Sequence, residues 1–138
     1  MLKSCSYCGR IHDSKNWCKQ KRDAEQRRWK NRKSKRAVDF RNTNAWKNKR
    51  EDVKRRHNYM CVCCAHNLKG TLDVLNTEDL SVHHITPIEE DYDLRLDDTN
   101  LITVCGMHHE MCEAGKIGRE VQRQLAEEYL EDMPTLIL

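Results

Sequence analysis

Apolar side chains are unevenly distributed along this sequence of 138 residues. Residues 1–60 contain 5 of the 26 Leu, Ile, Val and Phe residues, and residues 61–138 contain the other 21. The first part therefore cannot bury much of a hydrophobic core by itself, whereas the second part can build a small one. Because the chain is short and poor in apolar residues, we expect its fold to depend on additional cross-links.

A periodic pattern predicts a helix over residues 43–57. Trp46 and Val53 are seven positions apart and share one helical face, and basic residues cover much of the remaining surface. Thr43 or Asn44 can accept hydrogen bonds from the unpaired N–H groups of the first turn. The predicted helix ends shortly before a cluster of cysteines.

Shorter patterns follow in the second half of the chain. One strand is predicted over residues 80–86 and another over residues 100–104, with an acidic loop between them. A short helix should begin near position 107 and end before Gly115. Three apolar side chains at i, i+4 and i+8 predict a final helix over residues 118–132.

Charge is divided in the same way as apolar content. The net charge of +3 combines +14 in residues 1–60 with −11 in residues 61–138. The densest basic run, within residues 19–40, fits either a solvated helix or a linker, and together with the 43–57 helix it can supply contacts to DNA phosphates. We expect Trp29 and Trp46 to pack within the protein rather than stack on bases.

Several classes of protein are disfavoured. No segment is apolar over a length that could span a membrane, and the first residues lack the apolar stretch of a signal peptide. We therefore expect a cytoplasmic protein without a membrane partner, in which clustered cysteines bind metal rather than form disulfides. The sequence also contains no glycine-rich phosphate-binding loop of the common types.

The cysteines and histidines predict two zinc sites. A CxxC-Gly turn opens the first site, and four ligands within a short span suit one tetrahedral ion; they are Cys5, Cys8, His12 and Cys18. The second site pairs a CxxC with a distant CxxH; its ligands are Cys61, Cys64, Cys105 and His108. Cys63 and Cys112 do not fit the spacing and are interpreted as ordinary buried or free cysteines, with Cys112 in place of His108 as the alternative.

A further group of polar residues lies on and beside the two predicted strands. Neighbouring side chains of a strand point to opposite faces, so His83 and His84 cannot perform the same task from the same side. Asn100 starts the second strand, and His109 lies on the turn or helix after it. One histidine of the pair can bind a metal while the other faces a different part of the same cleft.

These residues resemble a known motif. The segments Val82–Ile85 and Asn100–Cys105, followed by His108 and His109, are similar to the motif of HNH endonucleases. The basic helix before Cys61 and the N-terminal CxxC also resemble those of small bacteriophage HNH proteins. The resemblance covers about residues 5–118, and its motifs are specific in combination.

The resemblance implies a role for each matching residue. His84 matches the general base, Asn100 matches the asparagine that orients the loop and the base, and His83 and His109 match ligands of one divalent ion. We expect a backbone carbonyl of the 89–98 loop to hold the tautomer of His84. Because His108 replaces the usual cysteine, the division of His108 and His109 between the two ions stays open, and Glu113 is a possible third ligand.

The implied architecture is a small α+β fold. It consists of a ββα-metal (His-Me finger) nuclease core with a structural zinc site, preceded by a basic helix and an N-terminal zinc knuckle. The expected domains are a knuckle at 1–18, a basic linker or helix at 19–40, the nuclease domain at 41–132 and a tail at 133–138.

The implied function is metal-dependent hydrolysis of DNA, by nicking or double-strand cleavage, with one or two structural Zn²⁺ ions and a catalytic Mg²⁺, Mn²⁺, Ni²⁺ or Zn²⁺. The expected partner is double-stranded DNA, contacted through Arg41, Lys47, Arg50 and Lys54. The resemblance further implies a phage protein that can assist the packaging terminase. The alternatives are a non-catalytic zinc-finger DNA-binding or scaffold protein, and a sequence-specific homing or restriction-type enzyme.

Overall fold

The computed structural model describes residues 1–13 and 18–131. The chain divides into two compact units, one that ends at Phe40 and one that begins at Arg41. The predicted tail at 133–138 lies outside the described residues. Within those residues, no helix is both long enough and apolar enough to cross a membrane.

The N-terminal unit contains two short strands and a long helix. Strands β1 (Leu2–Ser4) and β2 (Ile11–Asp13) pair antiparallel. Helix α1 (Lys19–Arg41) covers the basic run, for which the sequence allowed a helix or a linker. The expectation that Trp29 packs inside the protein is wrong, because this side chain is 55% exposed and Lys33 Nζ lies 4.7 Å from its ring centroid.

The C-terminal unit begins with helix α2 (Asn44–Arg56). Thr43 caps this helix, since its hydroxyl oxygen accepts a hydrogen bond from the backbone N–H of Trp46 at 3.2 Å. Trp46 and Val53 are buried, as their shared helical face predicts. After α2 the backbone reverses through two residues with positive φ, Asn58 and Tyr59, and reaches Cys61.

A two-stranded antiparallel sheet forms the centre of this unit. Strands β3 (Leu80–His84) and β4 (Leu101–Cys105) pair in a register that sets His83 opposite Ile102 and His84 opposite Leu101. Three helices accompany the sheet; they are α3 (Val62–Ala65), α4 (Gly106–Glu113) and α5 (Arg119–Glu131). The predicted α+β fold class and the strand–strand–helix order are therefore confirmed.

The core joins these elements. Its buried side chains come from α3, from β4 and from the residue that follows β3, and include Val62, Ile85, Ile102 and Val104. Two basic residues of α2 also hold the loop before β4, because Lys49 Nζ and Arg56 Nη2 lie 2.9 Å and 3.2 Å from Asp98 Oδ1. The turn before β4 is thereby fixed to helix α2.

His57 is a buried polar residue that the sequence did not indicate. Its Nδ1 accepts a hydrogen bond from the backbone N–H of Thr103 at 3.2 Å and lies 2.9 Å from the Thr103 hydroxyl. Burial, together with the adjacent charge of Arg56, lowers the pKa of His57 to about 4. The neutral ring is thus the form that connects the end of α2 to β4.

This burial predicts a pH dependence of stability. The unfolded chain protonates His57 near its ordinary pKa of about 6.5, whereas the folded chain does not until the pH approaches 4, so stability falls as the pH drops below about 6.5. Between about pH 7.5 and about pH 5 the loss from this group is about 2 kcal/mol. Urea unfolding should show that His57→Gln reduces the difference in stability between these two pH values by that amount. His66→Gln serves as the matched control, and an equal pH dependence in wild type and His57→Gln would contradict the assignment.

Candidate active site and metal-binding clusters

His84 is the last residue of β3 and is held by two different contacts. Its Nε2–H donates a hydrogen bond to the backbone carbonyl of Arg95 at 3.0 Å. Its ring stacks on the indole of Trp46, with 4.7 Å between the centroids and 29° between the planes. The Arg95 carbonyl lies in the 89–98 loop, as expected. Because this carbonyl accepts the proton of Nε2, the lone pair of the neutral ring is on Nδ1.

The side chain of Asn100 connects Thr86, which follows β3, to Leu94 in the loop that carries this carbonyl. Its Oδ1 accepts from the backbone N–H of Thr86 at 2.7 Å, and its Nδ2 donates to the carbonyls of Thr86 and Leu94 at 3.1 Å and 3.2 Å. Asn100 itself closes a short 3₁₀ turn and is not the first residue of β4. Its position is compatible with the expected role of orienting the loop beneath His84.

His83 points to the other face of the strand, toward helix α4. Its ring lies edge-on to that of His109, with 5.0 Å between the centroids, and Glu113 follows one turn later on the same helix. One donor atom from each of His83, His109 and Glu113 lies within 4.8 Å of the other two. The structure thus brings together two imidazoles and a carboxylate, a donor set that can hold a divalent ion.

Both histidines of the strand border one open pocket of about 760 Å³. The pocket is flanked by the basic side chains of Arg41 and Arg50 and by Glu89 of the loop after β3. The two sides of β3 therefore meet in a single cleft. A substrate in this cleft can contact a candidate base and a candidate metal site together.

Burial keeps the two histidines neutral. Loss of water, with the nearby His109 as a second cause, lowers the pKa of His83 to about 4. Burial also lowers the pKa of His84, although the Arg95 carbonyl partly offsets this effect. A neutral imidazole is the form that can bind a metal ion or accept a proton.

A second cluster combines three sulfur atoms with one ring nitrogen. His108 Nδ1 lies 3.6 Å, 3.4 Å and 3.3 Å from the sulfur atoms of Cys61, Cys64 and Cys105. His108 Nε2–H donates to the carbonyl of Lys69 at 3.1 Å, which directs the Nδ1 lone pair toward the sulfurs. His108 and His109 therefore belong to different clusters.

The buried sulfurs cannot all carry a negative charge without a cation. The Cys63 thiol and backbone N–H groups lower the pKa of Cys61 to about 4, whereas burial raises the pKa of Cys64 to about 12. Four soft donors at tetrahedral spacing suit a dication that compensates several thiolates. Cys112 is not part of this cluster and contacts Cys63 instead, so the alternative in which it replaces His108 has no structural support.

The third cluster lies in the N-terminal unit. Its four donors also lie within 4.8 Å of one another; they are Cys5, Cys8, His12 and Cys18. Gly9, with φ of 73°, closes the turn and donates its N–H to the Cys5 carbonyl at 2.9 Å. The left-handed conformation explains why glycine follows the CxxC. All eight cysteines of the chain are free thiols in the structure.

Two of the four predicted DNA-contacting residues border the cleft, and the other two do not. Arg41 and Arg50 line the cleft, whereas Lys47 and Lys54 do not. Arg50 Nε is buried and hydrogen-bonds to none of the described residues.

Sequence reasoning did not find the contact between Trp46 and His84. The pattern of α2 predicted that Trp46 is buried, but it contained no signal for its partner 38 positions later. The hydrogen bond from Arg123 to the Thr86 hydroxyl, at 3.0 Å, was also not predicted. It connects α5 to the residue that Asn100 holds.

The chain was compared with known proteins. No protein-family model matches it, and no curated protein matches it in sequence. Among solved structures it is similar to the HNH endonuclease of the deep-sea thermophilic bacteriophage GVE2, whose crystal structure contains a manganese ion. The two share 28% identity with a TM-score of 0.53, over 63% of this chain and 88% of that chain. Together with the strand–strand–helix arrangement around His83 and His84, this match supports an HNH-type nuclease fold for the chain.

Proposed function

We propose that this protein is a metal-dependent HNH endonuclease that hydrolyses phosphodiester bonds of double-stranded DNA. The observation that carries the proposal is the placement of side chains on the two faces of β3. His84 lies on one face, and the donor atoms of His83, His109 and Glu113 lie on the other. Both sides open into one cleft with basic residues at its border. The similarity to a phage HNH endonuclease that was solved with manganese supports the same activity.

The donor set beside α4 fits a divalent cation. Two neutral imidazoles and one carboxylate would hold the ion through His83, His109 and Glu113, and leave its remaining positions for water or substrate. The chemistry that these residues would gain from a bound divalent ion is polarisation of the phosphodiester and compensation of negative charge on the leaving oxygen. The nitrogen and oxygen donors are compatible with Mg²⁺, Mn²⁺, Ni²⁺ or Zn²⁺.

His84 is the proposed general base. Because the Arg95 carbonyl accepts the Nε2–H, the Nδ1 lone pair can take a proton from a water molecule that attacks phosphorus. Burial favours the neutral ring, which is the reactive form. The stacked Trp46 and the loop fixed by Asn100 restrict the ring orientation, and they act as positioning residues rather than catalytic ones.

DNA binding is assigned to the basic residues near the cleft. Arg41 and Arg50 border the pocket and are proposed to contact phosphates next to the bond that is cut. Lys47 and Lys54 are proposed to contact more distant phosphates, together with the basic helix α1. Such contacts do not depend on sequence, so binding should weaken steeply as salt is added.

The two cysteine clusters are proposed to bind structural Zn²⁺. Each combines three cysteines with one histidine, a ligand set that is common in closed zinc sites. The cluster around His108 would cross-link the segment after α2 to the start of α4. In a chain with so few apolar residues, such a cross-link would supply much of the folding free energy.

The proposed biological setting rests on the phage source of the similar solved structure and on the sequence resemblance to small phage HNH proteins. We propose a phage-encoded enzyme that acts in the cytoplasm of a bacterial host and can assist the terminase during DNA packaging. Nicking and double-strand cleavage are both compatible with one active site per chain.

Replacement of His84 by alanine tests the catalytic assignment. His84→Ala should reduce nicking of supercoiled plasmid by about 10²- to 10⁴-fold, because the general base is lost. The assay is run with Mg²⁺, Mn²⁺, Ni²⁺ or Zn²⁺ in turn, beside circular dichroism and metal analysis of the same samples. The fold and the structural metal content should be unchanged.

His66→Ala is the matched control, because His66 pairs with Glu128 outside the cleft. It should cut DNA at the wild-type rate. Cleavage at the wild-type rate by His84→Ala would reject His84 as the base. A wild-type protein that binds DNA but never cuts it with any of these metals would instead favour the non-catalytic DNA-binding alternative.

Metal analysis tests the proposed zinc sites. Purified wild-type protein should contain about two Zn²⁺ ions per chain, and Cys105→Ser and Cys8→Ser should each remove about one. Cys105→Ser should also destabilise the C-terminal unit by several kcal/mol, since its cross-link is lost.

Cys112→Ser provides the control, because Cys112 contacts Cys63 and lies outside the four-donor cluster. It should retain both ions. Loss of an ion from this variant, or full zinc content in Cys105→Ser, would overturn the ligand assignment.

A further inference from the structure

An unusual set of apolar side chains is exposed on the loop between α3 and β3. Leu72 is 99% exposed, Leu75 is 66% exposed, and Val74 between them is 45% exposed. Surface leucines that occur singly need no explanation, but three within four residues form a protruding apolar patch. The acidic residue Asp73 lies within this patch. We refer to residues 72–75 as the apolar loop.

The apolar loop is held at both ends by hydrogen bonds. The Thr71 hydroxyl donates to the Leu68 carbonyl at 2.6 Å, and the Asn76 carbonyl accepts from the backbone N–H of Cys61 at 2.9 Å. Within the loop, the backbone N–H of Leu75 donates to Asp73 Oδ1 at 2.9 Å. The loop therefore presents its side chains in a defined shape and loses little conformational freedom when it is covered.

A groove of about 730 Å³ lies beside the loop on the same unit. Its wall is apolar and includes Leu68, Met111, Ile117 and Val121, while Lys69 and Lys116 supply positive charge at its rim. Among the described residues, neither lysine side chain forms an ion pair, and neither does Asp73 of the loop. The groove thus complements the apolar loop in both hydrophobicity and charge.

The loop and the groove meet at Gly70. This glycine lines the groove and lies two residues before Leu72, and a Cβ atom added to it would lie 3.3 Å from the Met107 side chain and 3.5 Å from Met111 Sδ. Met107 is 41% exposed and borders the apolar loop, whereas Met111 borders the groove. The two surfaces are therefore one continuous apolar face rather than two separate patches.

We propose that this face joins two copies of the chain in a two-fold symmetric dimer, in which the apolar loop of each copy enters the groove of the other. A two-fold axis near Gly70 would exchange the loop and the groove, so each copy contributes both halves of the interface. Asp73 of one copy would then lie near Lys69 or Lys116 of the other. A different protein in the groove would not explain why a complementary loop lies beside it on the same chain.

Sedimentation velocity of the full chain tests this proposal without reference to nuclease activity. The samples contain zinc and a reductant and cover about 1 to about 300 µM, since a small interface of this kind gives weak, reversible association. The mass should rise with concentration from that of a 16.4 kDa monomer toward twice that value. Leu72→Glu and Val121→Glu should each raise the dimer dissociation constant roughly tenfold or more.

A charge exchange distinguishes this dimer from non-specific association. Asp73→Lys and Lys116→Glu should each weaken the dimer, and the double variant, which restores the opposite charges across the interface, should recover most of the affinity. Leu2→Glu, at a leucine of the N-terminal unit that is 71% exposed, is the control and should not change the dissociation constant.

Circular dichroism establishes that each variant is folded, which is expected because Leu72 is almost fully exposed. A wild-type chain that remains monomeric at every concentration overturns the proposal and leaves the face for another partner. A dimer that survives both Leu72→Glu and Val121→Glu overturns it as well. Either result would leave the proposed nuclease activity unaffected.

Discussion

The arrangement of this protein depends on the antiparallel pairing of β3 with β4. Because side chains alternate along a strand, the pairing turns His83 toward α4 and His84 toward Trp46 and the Arg95 carbonyl. A register shift of one residue would exchange the two faces and separate every proposed partner from its histidine. The register is held by buried residues of β4 and by Asn100, whose carbonyl accepts from the Ile85 N–H at 2.9 Å.

The sheet is small, and the residues around it explain how it can be rigid. Four candidate metal ligands surround the junction between β4 and α4, Lys49 and Arg56 bind Asp98 before β4, and His57 bonds to Thr103 within it. Each contact connects helix α2, or the segment after it, to β4 or to the residues next to β4. Short apolar strands can therefore hold their side chains in place without a large hydrophobic core.

Local signals in the sequence were sufficient for much of the fold, and three-dimensional packing supplied the rest. Trp46 and Val53 indicated the buried face of α2, and the two histidines of the strand indicated its two faces, because both periodicities are local. The partners of these residues depend on tertiary contacts. Neither the stacking of Trp46 on His84 nor the separation of His108 from His109 into different clusters has a signature in the spacing. Trp29 was expected to pack within the protein rather than to stack on bases, but its side chain on the highly charged α1 is exposed.

The two neighbouring histidines of β3 are proposed to have different tasks, His83 at the metal ion and His84 at the attacking water. Pulsed electron paramagnetic resonance of Mn²⁺ bound to zinc-loaded protein distinguishes these tasks, since it detects nitrogen atoms coordinated to the ion. We expect His83→Ala and His109→Ala each to remove part of the nitrogen signal, and His84→Ala to leave it unchanged. Loss of signal in His84→Ala together with an unchanged signal in His83→Ala would refute this assignment.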